Sequence, residues 1–80
     1  MQITLYGKLG EALGREVTIA ETDVRSISQV RRVLADRHPD LCSDFLSVRV
    51  RACVNDAIVG DDHAIEAGDT VALLPPVSGG

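Results

Sequence analysis

Short stretches in which apolar and polar side chains alternate recur along this chain, and a period of two is typical of half-buried β-strands. Two such stretches lie near its start, each with apolar residues on one face: Ile3 and Leu5 within Gln2–Tyr6, and Val17 and Ile19 within Glu16–Ala20. Gly7, Gly10 and Gly14 lie between them and predict a loop or a short helical turn. Because so few residues separate the two strands, we expect an antiparallel pair.

A helical pattern follows these strands. Ser26-Ile27-Ser28-Gln29 has the form of a capping box, in which the Ser26 side chain caps the helix and Gln29 reaches back. Apolar residues then recur at helical spacing, with polar residues on the opposite side: Ile27, Val30, Val33 and Leu34 against Gln29, Arg32 and Asp36. The pattern predicts one helix with a single apolar stripe.

Pro39 is expected to end this helix near His38, because the residue before a proline avoids the helical conformation. The next segment, 40–46, predicts a second short turn. Its candidates for burial are Leu41 and Phe45, with Cys42 as a further one.

The clearest strand pattern runs from Val48 to Val54, with strict alternation over seven residues. Asn55-Asp56 predicts a tight turn into a short return strand, Ala57–Val59, because both residue types tolerate positive φ. Further turn signals occur at Gly60-Asp61-Asp62 and Gly68-Asp69, and Val71–Leu74 predicts the last strand. This order of elements predicts an α+β sheet of about five strands with one main helix packed across one face.

The chain ends in a tail without charged side chains. No residue from Thr70 to Gly80 is Asp, Glu, Lys or Arg, although these types make up 25% of the sequence. Pro75 and Pro76 stiffen the exit from the last strand, and the final glycines present no side chain that a narrow channel would exclude. We therefore divide the chain into a domain, 1–74, and a tail, 75–80, whose reacting group is the Gly80 carboxylate.

A frayed terminus is the alternative interpretation of this tail, but fraying does not explain why charge is absent or why a diproline precedes the glycines. An extended chain from Pro75 to Gly80 reaches roughly 20 Å, enough to place the carboxylate inside a partner enzyme. The residues expected to bind that partner are Leu74, Pro75, Pro76, Val77, Ser78 and Gly79.

Alternation along the last strand bears on that partner surface. If Val71 and Leu73 face the core, then Ala72 and Leu74 face outward. An exposed Leu74 would then form an apolar docking patch continuous with the tail.

Charge restricts the class of partner. The chain has 8 cationic and 12 acidic residues, a net charge of −4, which argues against nucleic-acid binding. Two groups are candidates for docking, although plain solvation explains each equally well. Four carboxylates just before the last strand would lie near the tail and steer docking onto a basic enzyme surface: Asp61, Asp62, Glu66 and Asp69. The guanidinium groups of Arg49 and Arg51, on one face of the third strand, would bind a partner's carboxylates.

The remaining reactive side chains form no catalytic or metal motif. Cys42 and Cys53 lack the spacing of a zinc site, and we expect reduced, mostly buried thiols in a cytoplasmic protein. His38, His63 and Ser78 each stand without a neighbouring base or ligand in the sequence. Neither a signal peptide nor an apolar run of membrane-spanning length is expected.

The order of elements and the Gly-Gly ending resemble the β-grasp fold of the ubiquitin-like proteins, a mixed sheet crossed by a helix. More narrowly, Gly68–Gly80 resembles the C-terminal signature of the molybdopterin synthase small subunit: a Gly-Asp turn, a short apolar strand, Pro-Pro-Val and Gly-Gly. The outline also matches at Val54-Asn55 with Ile58-Val59, and at Leu5-Tyr6-Gly7 with Leu9 and Glu11. Two departures are Leu73-Leu74, where the family often has aromatics, and Gly10, where it usually has arginine.

The resemblance implies a sulfur carrier for molybdenum cofactor synthesis. An activating enzyme would adenylate Gly80 with ATP, and a sulfur donor would then displace AMP and leave a thiocarboxylate. The large synthase subunit would receive the tail, and the sulfur would attack the pterin precursor. The chain itself would bind no cofactor and would supply little catalysis. Gly79 and Gly80 would both be needed because two enzymes close around the reacting carbonyl.

Three alternatives remain open on the sequence. The same chemistry at Gly80 serves carriers that supply thiamine, cysteine or thiolated-RNA synthesis. A protein modifier would instead join Gly80 to lysines of other proteins; Lys8 is the only lysine here, which disfavours chains of this protein on itself. Finally, the domain would be a plain interaction module if the tail were passive.

Overall fold

A mixed five-stranded β-sheet forms the framework of the molecule, as the sequence predicted. The structure is a computed structural model, and it describes residues 1–20 and 24–75. The elements in chain order are β1 (Gln2–Leu5), α1 (Gly7–Leu13), β2 (Glu16–Thr18), α2 (Ile27–Arg37), a 3-10 turn (Pro39–Leu41), α3 (Cys42–Leu46), β3 (Arg51–Val54), β4 (Ala57–Val59) and β5 (Val71–Leu74).

The strands lie in the order β2-β1-β5-β3-β4, so the last strand of the chain is the central strand of the sheet. β1 pairs with β2 in the antiparallel sense, as predicted, and with β5 in the parallel sense. β3 is antiparallel to both β5 and β4. A parallel pair needs a long crossover, and here α2 is part of the chain that connects β1 to β5.

Alternation along the strands builds the core on one face of the sheet. The inward residues are almost fully buried and come from three neighbouring strands: Ile3 and Leu5 of β1, Val71 and Leu73 of β5, and Ala52 and Val54 of β3. The α2 stripe covers them with Ile27, Val30 and Leu34, each at 0% exposure. Burial of one such aliphatic side chain stabilises the fold by about 1.5–3 kcal/mol.

The ends of α2 agree with the sequence in outline. The Ser26 Oγ atom accepts a hydrogen bond from the Gln29 backbone N–H at 3.3 Å, as expected for the cap. The return bond differs, because Gln29 Oε1 accepts from the backbone N–H of Arg25 rather than from that of Ser26. The helix ends at Arg37, and His38, directly before Pro39, is its C-cap, so the end lies near His38 as predicted.

β3 is shorter than its sequence pattern, and the prediction of a strand beginning at Val48 was wrong. The strand begins at Arg51, while Ser47–Val50 closes a turn in which the Val50 N–H donates to the Ser47 carbonyl at 3.2 Å. Val50 stays buried, but Val48 is 83% exposed. Arg49 therefore lies in a turn and does not share a strand face with Arg51.

A buried arginine on α2 explains this turn. Arg31 is only 6% exposed, and its Nη1 atom donates to the carbonyls of Phe45 at 3.0 Å and Ser47 at 2.9 Å. Its Nη2 atom donates to the Val50 carbonyl, and its Nε atom donates to Asp61 Oδ1 at 2.9 Å. These carbonyls accept from a side chain, so the segment curls around the guanidinium group instead of extending the sheet.

A second polar cluster ties the β3–β4 turn to the start of β5. Asn55 and Asp56 both have positive φ, as the tight turn required. Asn55 Nδ2 donates to Asp69 Oδ1 at 3.0 Å, and the Thr70 N–H donates to Asn55 Oδ1 at 3.0 Å. The Glu66 N–H donates to Asp69 Oδ2 at 2.9 Å. Donation from the Glu66 backbone, and then from the Asn55 side chain, lowers the pKa of Asp69 below its ordinary value of 3.8.

We predict that Arg31→Met, which keeps side-chain length but removes the donors, lowers the free energy of unfolding by about 3 kcal/mol, because buried carbonyls lose their partners. Urea denaturation measures this loss. The control is Arg32→Met, one residue further along the same helix but exposed, with an expected change within about 0.5 kcal/mol. Equal losses in the two variants would contradict the role assigned to Arg31.

We also predict a change in acid stability for Asp69→Asn. A carboxyl whose pKa is lower in the folded state stabilises the fold above its unfolded pKa, and this contribution disappears as the pH falls through the folded pKa. The variant should therefore be less stable than the unmodified protein at neutral pH, and the difference should shrink below about pH 4. Urea midpoints measured across this range test it, with Asp56→Asn as the charge-matched control. A difference that is independent of pH would refute the argument.

Candidate functional site

The tail starts from the centre of the sheet. β5 is hydrogen-bonded on both sides, and its last residue, Leu74, lies opposite Arg51 of β3. On the β1 side, the Tyr6 N–H donates to the Leu73 carbonyl at 3.2 Å. The strand is thus held to its final residues, and Pro75 is exposed just beyond them. A tail that leaves a central strand has an origin fixed by two neighbours, whereas an edge strand would supply only one.

Gly7 packs closely against Pro75, the first residue of the tail, and in this sense seats the tail. Its φ is +63°, and a Cβ atom placed on Gly7 would lie 2.8 Å from the Pro75 Cβ and 2.9 Å from the Pro75 Cγ. Only glycine meets both requirements, a positive φ and a close approach. The sequence pattern predicted only a break at Gly7, the glycine directly after β1, because the contact of Gly7 with Pro75 forms only in the folded chain.

The structure corrects one predicted site residue. Leu74 lies on the outward face of β5, as alternation predicted, but it is half-buried rather than exposed. Arg51 stands directly across from Leu74 on the same face, and a long arginine stem covers apolar neighbours. The expected fully exposed leucine patch is therefore reduced.

The outer face of the sheet, opposite α2, carries a cross-strand row formed by Thr4, Ala72, Cys53 and Ile58. Ile58 is its most open apolar member, at 64% exposure. Cys53 is a free thiol that is half-buried in this row, not mostly buried as expected, and Cys42 is likewise free and half-buried.

Five predicted site residues lie outside the described part of the chain: Pro76, Val77, Ser78, Gly79 and Gly80. Their assignment remains a prediction. Of the residues expected to bind a partner, the structure describes Leu74 and Pro75.

The carboxylates proposed to steer docking do not form one group. Asp69 precedes β5 and Pro75 follows it, so the two lie at opposite ends of that strand, and Asp69 is bound to Asn55. The expectation that Asp69 lies near the tail was wrong. Asp61 is occupied by Arg31. Asp69 and Pro75 are close in sequence, but the extended strand β5 between them keeps them apart. The sequence alone did not reveal this separation.

A groove of about 280 Å³ lies beside the start of the tail. We call it the tail groove; its apolar walls are Tyr6, Leu9, Val50 and Pro75, and Lys8, Arg49 and Asp44 also line it. Lys8 Nζ lies 3.4 Å from Asp44 Oδ2.

Among the candidate residues that the structure describes, the others show no arrangement for catalysis. The His38 ring lies 6.1 Å from the ring of Phe45, so it serves packing at the end of α2. Among residues 1–20 and 24–75, no three His, Cys, Asp or Glu side chains are placed to hold a metal ion. Within the same residues, no helix is long and apolar enough to cross a membrane.

We predict that Gly7→Ala destabilises the domain by about 1–2 kcal/mol through its positive φ and also displaces Pro75. Urea denaturation measures the first effect, and the amide resonance of Leu74 reports the second. The control is Gly68→Ala, because Gly68 has φ +90° and no atom within 4 Å of the added methyl group. An unshifted Leu74 resonance in Gly7→Ala would show that Gly7 does not seat the tail.

Comparisons with known proteins identify the family of this chain. The sequence matches the ThiS family over residues 3–80. It is 26% identical to the molybdopterin synthase sulfur carrier subunit of Escherichia coli, an alignment that covers 100% of this chain and 99% of the relative.

Two solved structures illustrate the fold. The small archaeal modifier protein 1 of Haloferax volcanii is 30% identical, with a TM-score of 0.79 over 99% of this chain and 97% of the other. A chain in the complex of subunits 1 and 2 of the molybdopterin-converting factor of Helicobacter pylori is a more distant structural match. That structure is 19% identical, with a TM-score of 0.66 over 99% of this chain and 96% of the other, a likeness of fold alone. The chain therefore belongs to the ThiS family and has the ubiquitin-like β-grasp fold.

Proposed function

We propose that this protein is a sulfur carrier for molybdopterin synthesis and that the Gly80 carboxylate is its reacting group. One observation carries the proposal: the likeness to the family runs through the uncharged tail to residue 80. The alignment with the Escherichia coli sulfur carrier subunit supports it, because the alignment covers 100% of this chain and 99% of that relative.

The chemistry begins with activation of the terminal carboxylate. A carboxylate is a poor electrophile, so an activating enzyme joins one of its oxygens to the α-phosphate of ATP and releases pyrophosphate. Hydrosulfide released by a sulfur donor then attacks the carbonyl carbon, the bond from that carbon to the AMP oxygen breaks, and AMP leaves, which forms the thiocarboxylate on Gly80. ATP is consumed by the partner, and the carrier needs no bound cofactor.

The second stage is delivery of the sulfur. The large synthase subunit receives the tail, and the thiocarboxylate sulfur attacks the pterin precursor in that subunit's active site. Water then cleaves the bond between the sulfur and the Gly80 carbonyl carbon, which leaves the sulfur on the precursor and restores the Gly80 carboxylate. Acid–base groups and the anion pocket belong to the partner. The carrier is then a non-catalytic subunit, and carrier and large subunit together form a heterotetramer in the cytoplasm.

Features of the described domain support a delivery role. The tail starts from a central strand, and Gly7 seats its first residue, Pro75. An end fixed in this way lets a partner recognise the folded body and the tail together. Leu74, Pro75, Pro76, Val77, Ser78 and Gly79 are the residues we assign to contact with both enzymes.

The test is an intact-mass measurement after incubation with ATP, the activating enzyme and a sulfur source. We expect the mass to rise by the exchange of one oxygen for sulfur, and a variant lacking Gly80 to show no rise while keeping the thermal stability of the unmodified protein. Sulfur gained equally by the shortened variant would refute Gly80 as the site. Sulfur that passes only to a thiazole precursor, and not to the pterin precursor, would refute the pathway.

A second candidate function is protein modification, and the structural likeness to small archaeal modifier protein 1 favours it. Its first step is the same adenylate, but a lysine ε-amine of another protein attacks in place of sulfur and forms an isopeptide bond. The two functions diverge only at the nucleophile, so one domain is compatible with both.

Digestion of cell protein with a protease, followed by mass spectrometry, separates the two candidates. For a modifier, we expect the Gly80 remnant on lysines of other proteins; for a sulfur carrier alone, we expect a free or sulfurated Gly80 and no such remnant. A variant with Gly80 deleted is the control for both signals.

A further inference from the structure

The tail groove is the cavity that the proposed function does not yet explain. Its volume of about 280 Å³ is at the lower limit of about 300 Å³ for pockets that hold small molecules, which points to a side chain rather than a cofactor as its occupant. Tyr6, Leu9 and Val50 give it apolar walls, and Pro75 closes one side.

The rim of the groove is cationic, although the protein carries a net charge of −4. Lys8 and Arg49 line it together with a single carboxylate, Asp44. Lys8 is paired with Asp44 at 3.4 Å, and its side chain remains 74% exposed. In the described part of the chain, the Arg49 guanidinium group has no carboxylate partner, so one positive charge is available to a ligand.

The position of Pro75 decides which class of ligand can reach this groove. Pro75 is both a wall of the groove and the first residue of the tail. An enzyme that closes around the tail therefore comes into contact with the groove and covers it. The occupant follows from this geometry and from charge: an apolar side chain flanked by carboxylates, on the surface of the tail-receiving enzyme.

We infer that the tail groove binds an acidic segment of the enzyme that receives the tail, with an apolar side chain between Tyr6 and Pro75 and a carboxylate on Arg49. This inference rests on the proposed function, because it needs an enzyme that takes up the tail. The net charge of −4 would by itself favour a basic partner surface. The cationic rim beside Pro75 instead favours an acidic partner surface at this place.

Substitutions of Asp44 and Arg49 should change the affinity for the enzyme in opposite directions. A carboxylate on the groove repels an acidic ligand, and Lys8 only partly offsets it because the pair is exposed. Removal of the Asp44 charge should therefore strengthen binding, while reversal of the Arg49 charge should weaken it.

The experiment is isothermal titration of the full-length carrier into the activating enzyme and into the large synthase subunit, each purified separately. For at least one enzyme, we expect Arg49→Glu to weaken binding about tenfold in dilute salt and Asp44→Asn to tighten it about twofold. Both effects should vanish near 1 M salt, where the screening length is about 3 Å. The control is Arg32→Glu, the same charge reversal at an exposed site on α2 that does not line the groove.

Equal affinities of Arg49→Glu and Arg32→Glu would overturn the inference, as would weaker binding of Asp44→Asn. If the unmodified carrier gains sulfur in the mass assay while the two arginine variants bind alike, the groove inference fails and the proposed function stands. If the unmodified carrier binds neither enzyme, both fail.

Nuclear magnetic resonance of the free full-length protein tests the two other occupants. We expect Arg49→Glu to leave the resonances of Gly79 and Gly80 unchanged; a shift would show that the protein's own tail fills the groove. We also expect the amide resonances of Leu9 and Val50 to be independent of protein concentration; dependence would identify a second copy as the occupant.

Discussion

The parallel pairing of β1 with β5 determines where the tail of this protein begins. It places the last strand of the chain at the centre of the sheet, between β1 and β3. The tail origin is consequently held by hydrogen bonds on both sides, and the residue after β1, Gly7, meets Pro75. Under the proposed function, two enzymes bind the carrier in turn, and each meets the folded body and Pro75 in the same relation.

Arg31 connects helix α2 to the surface beside the tail. Its guanidinium group binds the carbonyls of Ser47 and Val50, two residues that also line the tail groove. The turn that holds Arg49 is therefore organised by a buried side chain on α2. A buried cation without partners would cost several kcal/mol, but here each guanidinium nitrogen has an acceptor, including the carboxylate of Asp61. The buried Arg31 therefore links the core to the cationic rim of the groove, because it holds the turn that carries Arg49.

Much of the fold followed from local pattern. Alternation identified Ile3, Leu5, Val71 and Leu73 as core residues. The residue types of Asn55-Asp56 identified the positive-φ turn. The failures share one physical cause, since each depends on a partner distant in sequence. The alternation from Val48 predicted a strand, but the carbonyls of Ser47 and Val50 accept hydrogen bonds from the Arg31 side chain instead. Arg31 itself falls on the apolar stripe, four residues after Ile27, and this position was the available signal. The half-burial of Leu74, the contact of Gly7 with Pro75 and the tail groove arise only when the strands assemble. The tail motif was visible at once, because its chemistry lies in residue types and not in packing.

The central claim is that the backbone terminus, and no side chain, is the reactive group of this protein. ATP–pyrophosphate exchange by the activating enzyme tests it most directly, with the protein ending either in the natural carboxylate or in a carboxamide made by semisynthesis. We expect carrier-dependent exchange with the carboxylate and none with the carboxamide, although both proteins have the same fold. Equal exchange with the two forms would contradict it.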